Sequence, residues 1–470
     1  FADKTVANNK AVTISGLTLS GEDAGNYTVT DNSGATANIT AKAITSTGIT
    51  ASNKVYNANT VATLNTGTAV LTGGAVADDD NKYYTGDTVT LDTSGAAGLF
   101  ADKTVANNKA VTISGLTLSG EDAGNYTVTD NSGATANITA KAITSTGITA
   151  SNKVYNANTV ATLNTGTAVL TGGAVADDDN KYYTGDTVTL DTSGAAGLFA
   201  DKTVANNKAV TISGLTLSGE DAGNYTVTDA SNATANITAK PITATGVTAV
   251  NKIYNANTVA TLNTGLAAIT AGATADDDKK YYDGDTVILE KAGATGAFAD
   301  KTVANNKAVT ISGLTLSGED AGNYTVTDNS GATADITAKA ITATGVTASD
   351  KVYNANTTAT INTASASITA GAATDDDKKY YTGDAVALET AGATGAFADK
   401  HAGIGKAVTV SGFTLSGEDA GNYSVSDASN ATADITAKAI TVSGITASGK
   451  VYDAKTNATT DVTNATGWIA

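Results

Sequence analysis

The sequence predicts an all-β chain of tandem β-sandwich repeats, 99 residues each, strung into an elongated rod. Three observations carry that expectation. The run Ser119-Gly120-Glu121-Asp122-Ala123-Gly124-Asn125-Tyr126-Thr127-Val128 occurs in five copies, the last with Ser424 in place of the threonine, its tyrosine falling at Tyr27, Tyr126, Tyr225, Tyr324 and Tyr423, always 99 apart. Phe-Ala-Asp-Lys recurs with the same spacing at Phe1, Phe100, Phe199, Phe298 and Phe397. Between these markers Val, Ile, Thr and Tyr alternate with polar residues, and Gly and Asn gather at the breaks, which is the pattern of strands and turns.

Asp-Ala-Gly-x-Tyr ahead of an alternating run has the form of a tyrosine corner in an Ig-like sandwich. There the phenol packs inward and its hydroxyl bonds upstream backbone. The five tyrosines are therefore assigned a structural role. The plainer alternative is an ordinary turn before a strand, and the joint recurrence of Asp, Ala-Gly and Tyr favours the corner.

Units are cut after Lys42, Lys141, Lys240, Lys339 and Lys438, where one or two residues separate the last strand of one repeat from the first of the next. This gives a C-terminal part of a repeat (1–42), sandwiches at 43–141, 142–240, 241–339 and 340–438, and an N-terminal part (439–470). So short a joint restricts orientation, as a Gly/Ser linker would not. Pro241 follows one cut, where a missing N–H costs least.

Within 43–141 about seven strands are expected. Ala43–Ser52 carries a bulge at Gly48, Thr60–Leu71 is interrupted at Asn65-Thr66-Gly67, and Lys82–Leu91 carries Tyr84 and Val89. In Lys109–Ser119 the apolar phase slips at Ser114-Gly115, which predicts a bulge or strand switch. Asn125–Thr129 and Ala134–Ala140 follow, joined by a hairpin at Asp130-Asn131-Ser132-Gly133.

At 470 residues the chain suits several small domains. Apolar content is 41% but aromatic content only 5%, so each core is expected to be small and built from Val, Ile, Leu, Ala and a few Tyr. A net charge of −18 argues against nucleic acid and anionic membranes, and favours solubility and mutual repulsion of neighbouring chains. The absence of cysteine removes disulfides and thiolate zinc sites while remaining compatible with export. No run of about twenty apolar residues is present to insert in a bilayer. Starting mid-repeat at Phe1, without an initiating Met or signal sequence, the chain reads as an excerpt of a longer polypeptide or a processed product.

Four acidic triplets are the candidate metal ligands: Asp78-Asp79-Asp80, Asp177-Asp178-Asp179, Asp276-Asp277-Asp278 and Asp375-Asp376-Asp377, each followed by a Gly-Asp at Asp87, Asp186, Asp285 or Asp384. Adjacent carboxylates in a loop can supply several of the six to eight oxygens calcium takes. The spacing is not that of an EF-hand, and a solvated acidic tip is the preferred reading; calcium is the only cofactor considered. Glu121-Asp122 with Asp102 forms a second acidic group, able to approach the next repeat but better explained by turns. Catalysis finds no support: His401 occurs in one copy only, no Ser/His pair recurs, and Gly403-Ile404-Gly405-Lys406 lacks the full phosphate-loop pattern. An internal Lys–Asn crosslink has no pinned pair. Tyr83-Tyr84 and Tyr182-Tyr183 should each turn one ring outward, to pack at the sandwich edge or, as a less favoured reading, to touch a neighbouring domain, a sugar or another fibre.

The linked motifs Lys153-Val154-Tyr155-Asn156-Ala157-Asn158-Thr159, Phe199-Ala200-Asp201-Lys202 and Ala209 through Tyr225 resemble the YDG-type repeat, closely allied to MBG-type repeats, of large Gram-negative surface proteins similar to filamentous haemagglutinin. The family's Tyr-Asp-Gly is Tyr-Asn-Ala in four copies here and Tyr-Asp-Ala at Tyr452-Asp453-Ala454, and the Asp78–Tyr84 hairpin is longer than usual. The resemblance implies an exported, cell-surface adhesin stalk with no catalytic role. Expected partners are neighbouring repeats, other copies in a fibre, and a cell-surface or glycan receptor. A self-assembling extracellular fibre or sheath is the second reading and a carbohydrate-binding module the third.

Overall fold

The computed structural model describes residues 1–467, and in it the β-branched runs form strands whose sheet membership is decided largely by glycines. Two compact units are present, Phe1–Thr238 and Ala239–Ala470.

In the first unit, Lys42–Thr47 is the middle strand of a three-stranded sheet, parallel to Tyr126–Asp130 and antiparallel to Val70–Leu71. A five-stranded sheet runs in the order Lys54–Val55, Thr135–Thr139, Ala106–Ser114, Ala97–Phe100, Val61–Ala62. Two small ladders, Thr50–Ala51 with Leu64–Asn65 and Thr90–Asp92 with Thr117–Ser119, complete the sandwich. The same arrangement recurs 99 residues on, with Lys141–Thr146 between Tyr225–Asp229 and Val169–Leu170. Ahead of both, Ala7–Ala11 pairs with Thr36–Ile39.

The switch foreseen at Ser114-Gly115 is present. Ala106–Ser114 belongs to the five-stranded sheet and Thr117–Ser119 to a separate ladder. Gly115 turns with φ +75°, and a Cβ there would lie 2.2 Å from the Gly95 carbonyl oxygen. At Gly48 (φ +85°) the effect is stronger than a bulge: the expected strand Ala43–Ser52 is split between two sheets. Thr60–Leu71 is likewise three short strands in three sheets, and of Lys82–Leu91 only the end lies in the strand Thr90–Asp92. Ala97–Phe100 was not foreseen as a strand, since its Gly-Leu-Phe core is too short to alternate visibly.

One expectation is overturned. Asp130–Gly133 is no hairpin, because the strands it joins lie in different sheets. Asp130 Oδ1 accepts from the Ser132 N–H (3.1 Å) and Oγ (2.6 Å), while Ser132 Oγ accepts from the Ile49 N–H (2.9 Å). This side-chain turn points the chain across the sandwich instead of back along the same sheet.

The second unit repeats the plan. Lys240–Thr245 lies between Tyr324–Asp328 and Ala268–Ile269, and Lys339–Thr344 between Tyr423–Asp427 and Ser367–Ile368. Pro241 pairs with Thr325 on one side only, because the antiparallel neighbour meets the strand later, at Ala244 and Thr245.

The apolar core does not close within 99 residues. Tyr56, Phe100, Val111 and Ile138 form one buried cluster with Ile143 and Tyr225 of the following repeat. In the second unit Tyr254, Phe298, Val309 and Ile336 do the same with Ile341 and Tyr423. With few large side chains per repeat, a shared cluster buries aromatic surface that a single thin sandwich would leave wet.

Candidate functional site: the joint between consecutive repeats

The short strand Lys54–Val55 adds in parallel to the edge of Thr135–Thr139, and the Tyr56 N–H donates to the Thr139 carbonyl at 2.8 Å. Tyr56 is thereby carried past the end of its own sheet into the next repeat, where it is fully buried. Its ring meets those of Tyr225 and Tyr183 edge-on, at centroid distances of 5.3 and 6.2 Å.

Three donors then converge on one carboxylate. Asp186 Oδ2 accepts from Tyr56 Oη (2.7 Å) and Tyr225 Oη (2.6 Å), and Oδ1 accepts from Lys103 Nζ (2.7 Å). Tyr56 and Lys103 come from one repeat, Tyr225 and Asp186 from the next. The Tyr225 hydroxyl also accepts from the Tyr183 N–H (3.0 Å), and Asn224 Oδ1 accepts from the Val105 N–H across the joint (3.0 Å). The Asp186 side chain is 3% exposed. Burial pushes its carboxyl up, but the Lys103 ammonium and the hydroxyls of Tyr225 and Tyr56 outweigh burial and hold it below the usual carboxylate range. Burial and the Asp186 charge push Tyr56 up to about 12, and Tyr225 rises for the same reasons.

The second unit reproduces this geometry. Asp384 accepts from Tyr254 (2.8 Å), Tyr423 (2.6 Å) and Lys301 (2.8 Å), and Asn422 Oδ1 accepts from the Val303 N–H (3.0 Å). At the first joint Lys4 (2.8 Å) and Tyr126 (2.6 Å) reach Asp87, and the Val6 N–H reaches Asn125. The corner tyrosines Tyr126, Tyr225 and Tyr423 therefore bond backbone upstream, at Tyr84, Tyr183 and Tyr381, and add a carboxylate partner; Tyr324 bonds Tyr282 in the same way. Tyr27 is exposed.

The acidic triplets hold their own loops closed. Asp80 accepts from the N–H groups of Val76 (2.6 Å), Ala77 (3.2 Å) and Lys82 (3.1 Å) and from Lys42 Nζ (3.0 Å). Asp179, Asp278 and Asp377 stand in the same place beside the fully buried Lys141, Lys240 and Lys339, each at 3.0 Å. Asp78, Asp177, Asp276 and Asp375 accept from the hydroxyls of Tyr84, Tyr183, Tyr282 and Tyr381. Asp79, Asp178, Asp277 and Asp376 are exposed. The three carboxylates of a triplet thus serve different partners, and among the described residues no three His, Asp or Glu are grouped to hold a metal ion. Asp102 is taken by Lys109 and Thr104 within its own repeat. Asp221, the counterpart of Asp122, does approach the preceding repeat, 3.4 Å from Lys103.

Sequence reasoning noticed the Gly-Asp carboxylates as companions of the triplets; their role lies at the joint. Tyr56 was missed, although Lys-Val-Tyr at the 99-residue spacing was the available signal.

The YDG domain matches residues 1–35, 40–134, 139–234, 238–332 and 337–432. The chain belongs to the YDG-domain family. No curated relative and no solved structure matches it. The tandem YDG repeats form an all-β architecture, and no described helix is long and apolar enough to cross a membrane. The family's Tyr-Asp-Gly element is here the tyrosine that plugs the joint: Tyr56-Asn57-Ala58 and Tyr254-Asn255-Ala256.

Proposed function

We propose that this chain of YDG repeats is the stalk of a bacterial surface adhesin, exported from the cell and holding a binding tip away from it. The single observation that supports this most is the joint, where Tyr56, Tyr225 and Lys103 share Asp186 and Tyr254, Tyr423 and Lys301 share Asp384. Pivoting at such a joint strips a buried carboxylate of charge-assisted hydrogen bonds, each worth about 1.5–3 kcal/mol. Repeats linked this way transmit position, which is what a stalk must do. The sugar-binding reading has less support, since Tyr183 and Tyr381 pack against Tyr56 and Tyr254 while Tyr84 stays exposed.

Because the chain has no cysteine, spin labels can be placed cleanly at Val76→Cys and Val175→Cys, both positions being highly exposed. One narrow distance distribution is expected, broadening in Asp186→Ala; a distribution already as broad in the parent chain would remove the basis of a stalk. On intact cells of the source organism, added protease is expected to degrade the chain while sparing a cytosolic marker. Protection until lysis would place it elsewhere.

A further inference from the structure

Each complete repeat holds both of its ends in parallel strands. In 43–141 the chain enters at Lys42–Thr47, which runs parallel to Tyr126–Asp130 from the pair Lys42–Tyr126 to the pair Ser46–Asp130. It leaves through Thr135–Thr139, where Ile138 and Thr139 run parallel to Lys54 and Val55. The remaining ladders of this repeat are antiparallel. Both parallel contacts recur in the next three repeats, at Lys141–Thr146 and Lys153–Val154, at Lys240–Thr245 and Lys252–Ile253, and at Lys339–Thr344 and Lys351–Val352. The entry strand starts at one joint, beside Tyr126 and Asp87, and the exit strand ends at the next, where Tyr56 bonds both Thr139 and Asp186.

Strand direction decides how such contacts meet tension. Pulling on the chain draws the entry strand toward its own N-terminus. It draws Tyr126–Asp130, which leads straight into the exit strand, toward its C-terminus. Parallel partners are then dragged past each other lengthwise, and all their hydrogen bonds bear load together. An antiparallel hairpin pulled at its open end would release its bonds one at a time. Side chains pin the entry strand further. Lys42 Nζ donates to the Ala77 and Asp78 carbonyls (2.7 and 2.8 Å) and to Asp80 (3.0 Å), and its counterparts Lys141, Lys240 and Lys339, paired with Asp179, Asp278 and Asp377, are fully buried. Sliding the strand would draw a buried ammonium off its carboxylate. The single proline spares the ladder. The Thr45 N–H points away from Tyr126–Asp130, donating to the Asn81 carbonyl (3.2 Å), whereas the Ser46 carbonyl points toward it and accepts from the Asn131 N–H (2.8 Å). By alternation Ala43 also faces away, and Pro241 takes the place of Ala43 in its own repeat. We propose that each repeat is a load-bearing clamp, resisting tension along the chain through these two parallel contacts and giving way in a single step. This goes beyond the stalk reading, which concerns the joints: soft repeats would overturn the clamp and leave the distance measurement across the joint untouched.

The test pulls the full chain by tags at its two termini under a rising force. The four complete repeats are expected to rupture as separate, sharp events, each releasing about 300 Å of chain, from about 3.3–3.6 Å per extended residue less the folded span. Thr129→Pro removes an N–H on the ladder side, two residues before Asn131, at a position whose side chain is exposed. Interactions broken on the way to the unfolding barrier control the unfolding rate, so this repeat should rupture about tenfold faster at a given force, one early event preceding three unchanged ones. Should it give no event at all, the comparison passes to Asp80→Asn, which weakens the Lys42 anchor, leaves the ladder intact and should also bring one event forward. Leu118→Ala, outside both contacts, should leave all four events alike even where it lowers the denaturation midpoint. Gradual extension of the wild-type chain without such events would overturn the proposal. So would a weakened clamp that ruptures with the other repeats, or a Leu118→Ala repeat that ruptures as early as Thr129→Pro, since either would place the load on other strands.

Discussion

Ala58, Ala157, Ala256 and Ala355 hold φ of 60°, 61°, 58° and 65°, a left-handed conformation that glycine takes freely and alanine does not. This is the position at which the family's Tyr-Asp-Gly carries glycine. The left-handed backbone costs alanine about 1–2 kcal/mol, while a new glycine loses about 0.4–1 kcal/mol through unfolded-state entropy. Ala157→Gly is therefore expected to stabilise its repeat by about 0.5–1 kcal/mol, read as a higher urea midpoint; a lower midpoint would mean that the turn is not strained. Ser145 makes the complementary case. Its hydroxyl, like that of Ser46, is buried without a hydrogen-bond partner, and the equivalent positions Ala244 and Ala343 are just as buried. Ser145→Ala should gain about 1 kcal/mol, since a desolvated hydroxyl is removed and no partner is orphaned. Thermal denaturation that shows a loss would point to a bond the hydroxyl makes in solution.

Among the elements, glycines outrank side-chain alternation in assigning strands to sheets. Gly115→Ala combines φ +75° with a Cβ 2.2 Å from backbone, and neither can relax without moving the strand switch. A loss of about 2 kcal/mol or more is expected in the denaturation midpoint, and a neutral result would show that the switch tolerates another path. The Asp80-type loops lead to a prediction about metal. Their third carboxylates are filled by three backbone N–H groups and a lysine, so a chelator should leave the melting temperature unchanged. A fall on chelation, reversed by calcium, would restore calcium as a ligand. The period, the strand-rich composition and the Ser114-Gly115 switch were legible in the sequence because each is a local property of the chain. The Asp130–Gly133 crossing was not, because an Asx turn and a hairpin draw on the same residues, and the Ser132–Ile49 bond that selects between them joins positions far apart in sequence.

For the whole molecule, pH dependence follows from the carboxylates and phenols of the joints and loops. Asp179, Asp186, Asp278, Asp377 and Asp384 lie below the usual carboxylate range: burial opposes the shift at all five and is the largest influence except at Asp377, where the Ala373 N–H leads, and the backbone, lysine and tyrosine donors outweigh it. Their stabilisation is fully present above the unfolded value near pH 4 and is lost as pH falls through the lower folded values. Tyr56 and Tyr254, pushed up to about 12 by burial and their aspartates, contribute fully below the unfolded value near pH 10 and lose their contribution as pH rises through the folded ones. Stability is thus expected to be flat between about pH 4 and 10 and to decline on both sides, as chemical denaturation across pH would measure; a maximum near the pI of 4.4 with steady loss toward neutrality would instead assign control to overall charge repulsion.

By itself the sequence determined the 99-residue period and the all-β class, because these are carried by residue identity and spacing along one chain. Only the tertiary structure decided that Tyr56 and Tyr254 leave their own sheets, that Asp186 and Asp384 belong to joints, and that apolar clusters run from one repeat into the next. Those outcomes depend on which strand edge stays free and on which carboxylate lies within hydrogen-bond reach once the sheets are stacked. A one-dimensional pattern does not hold that information.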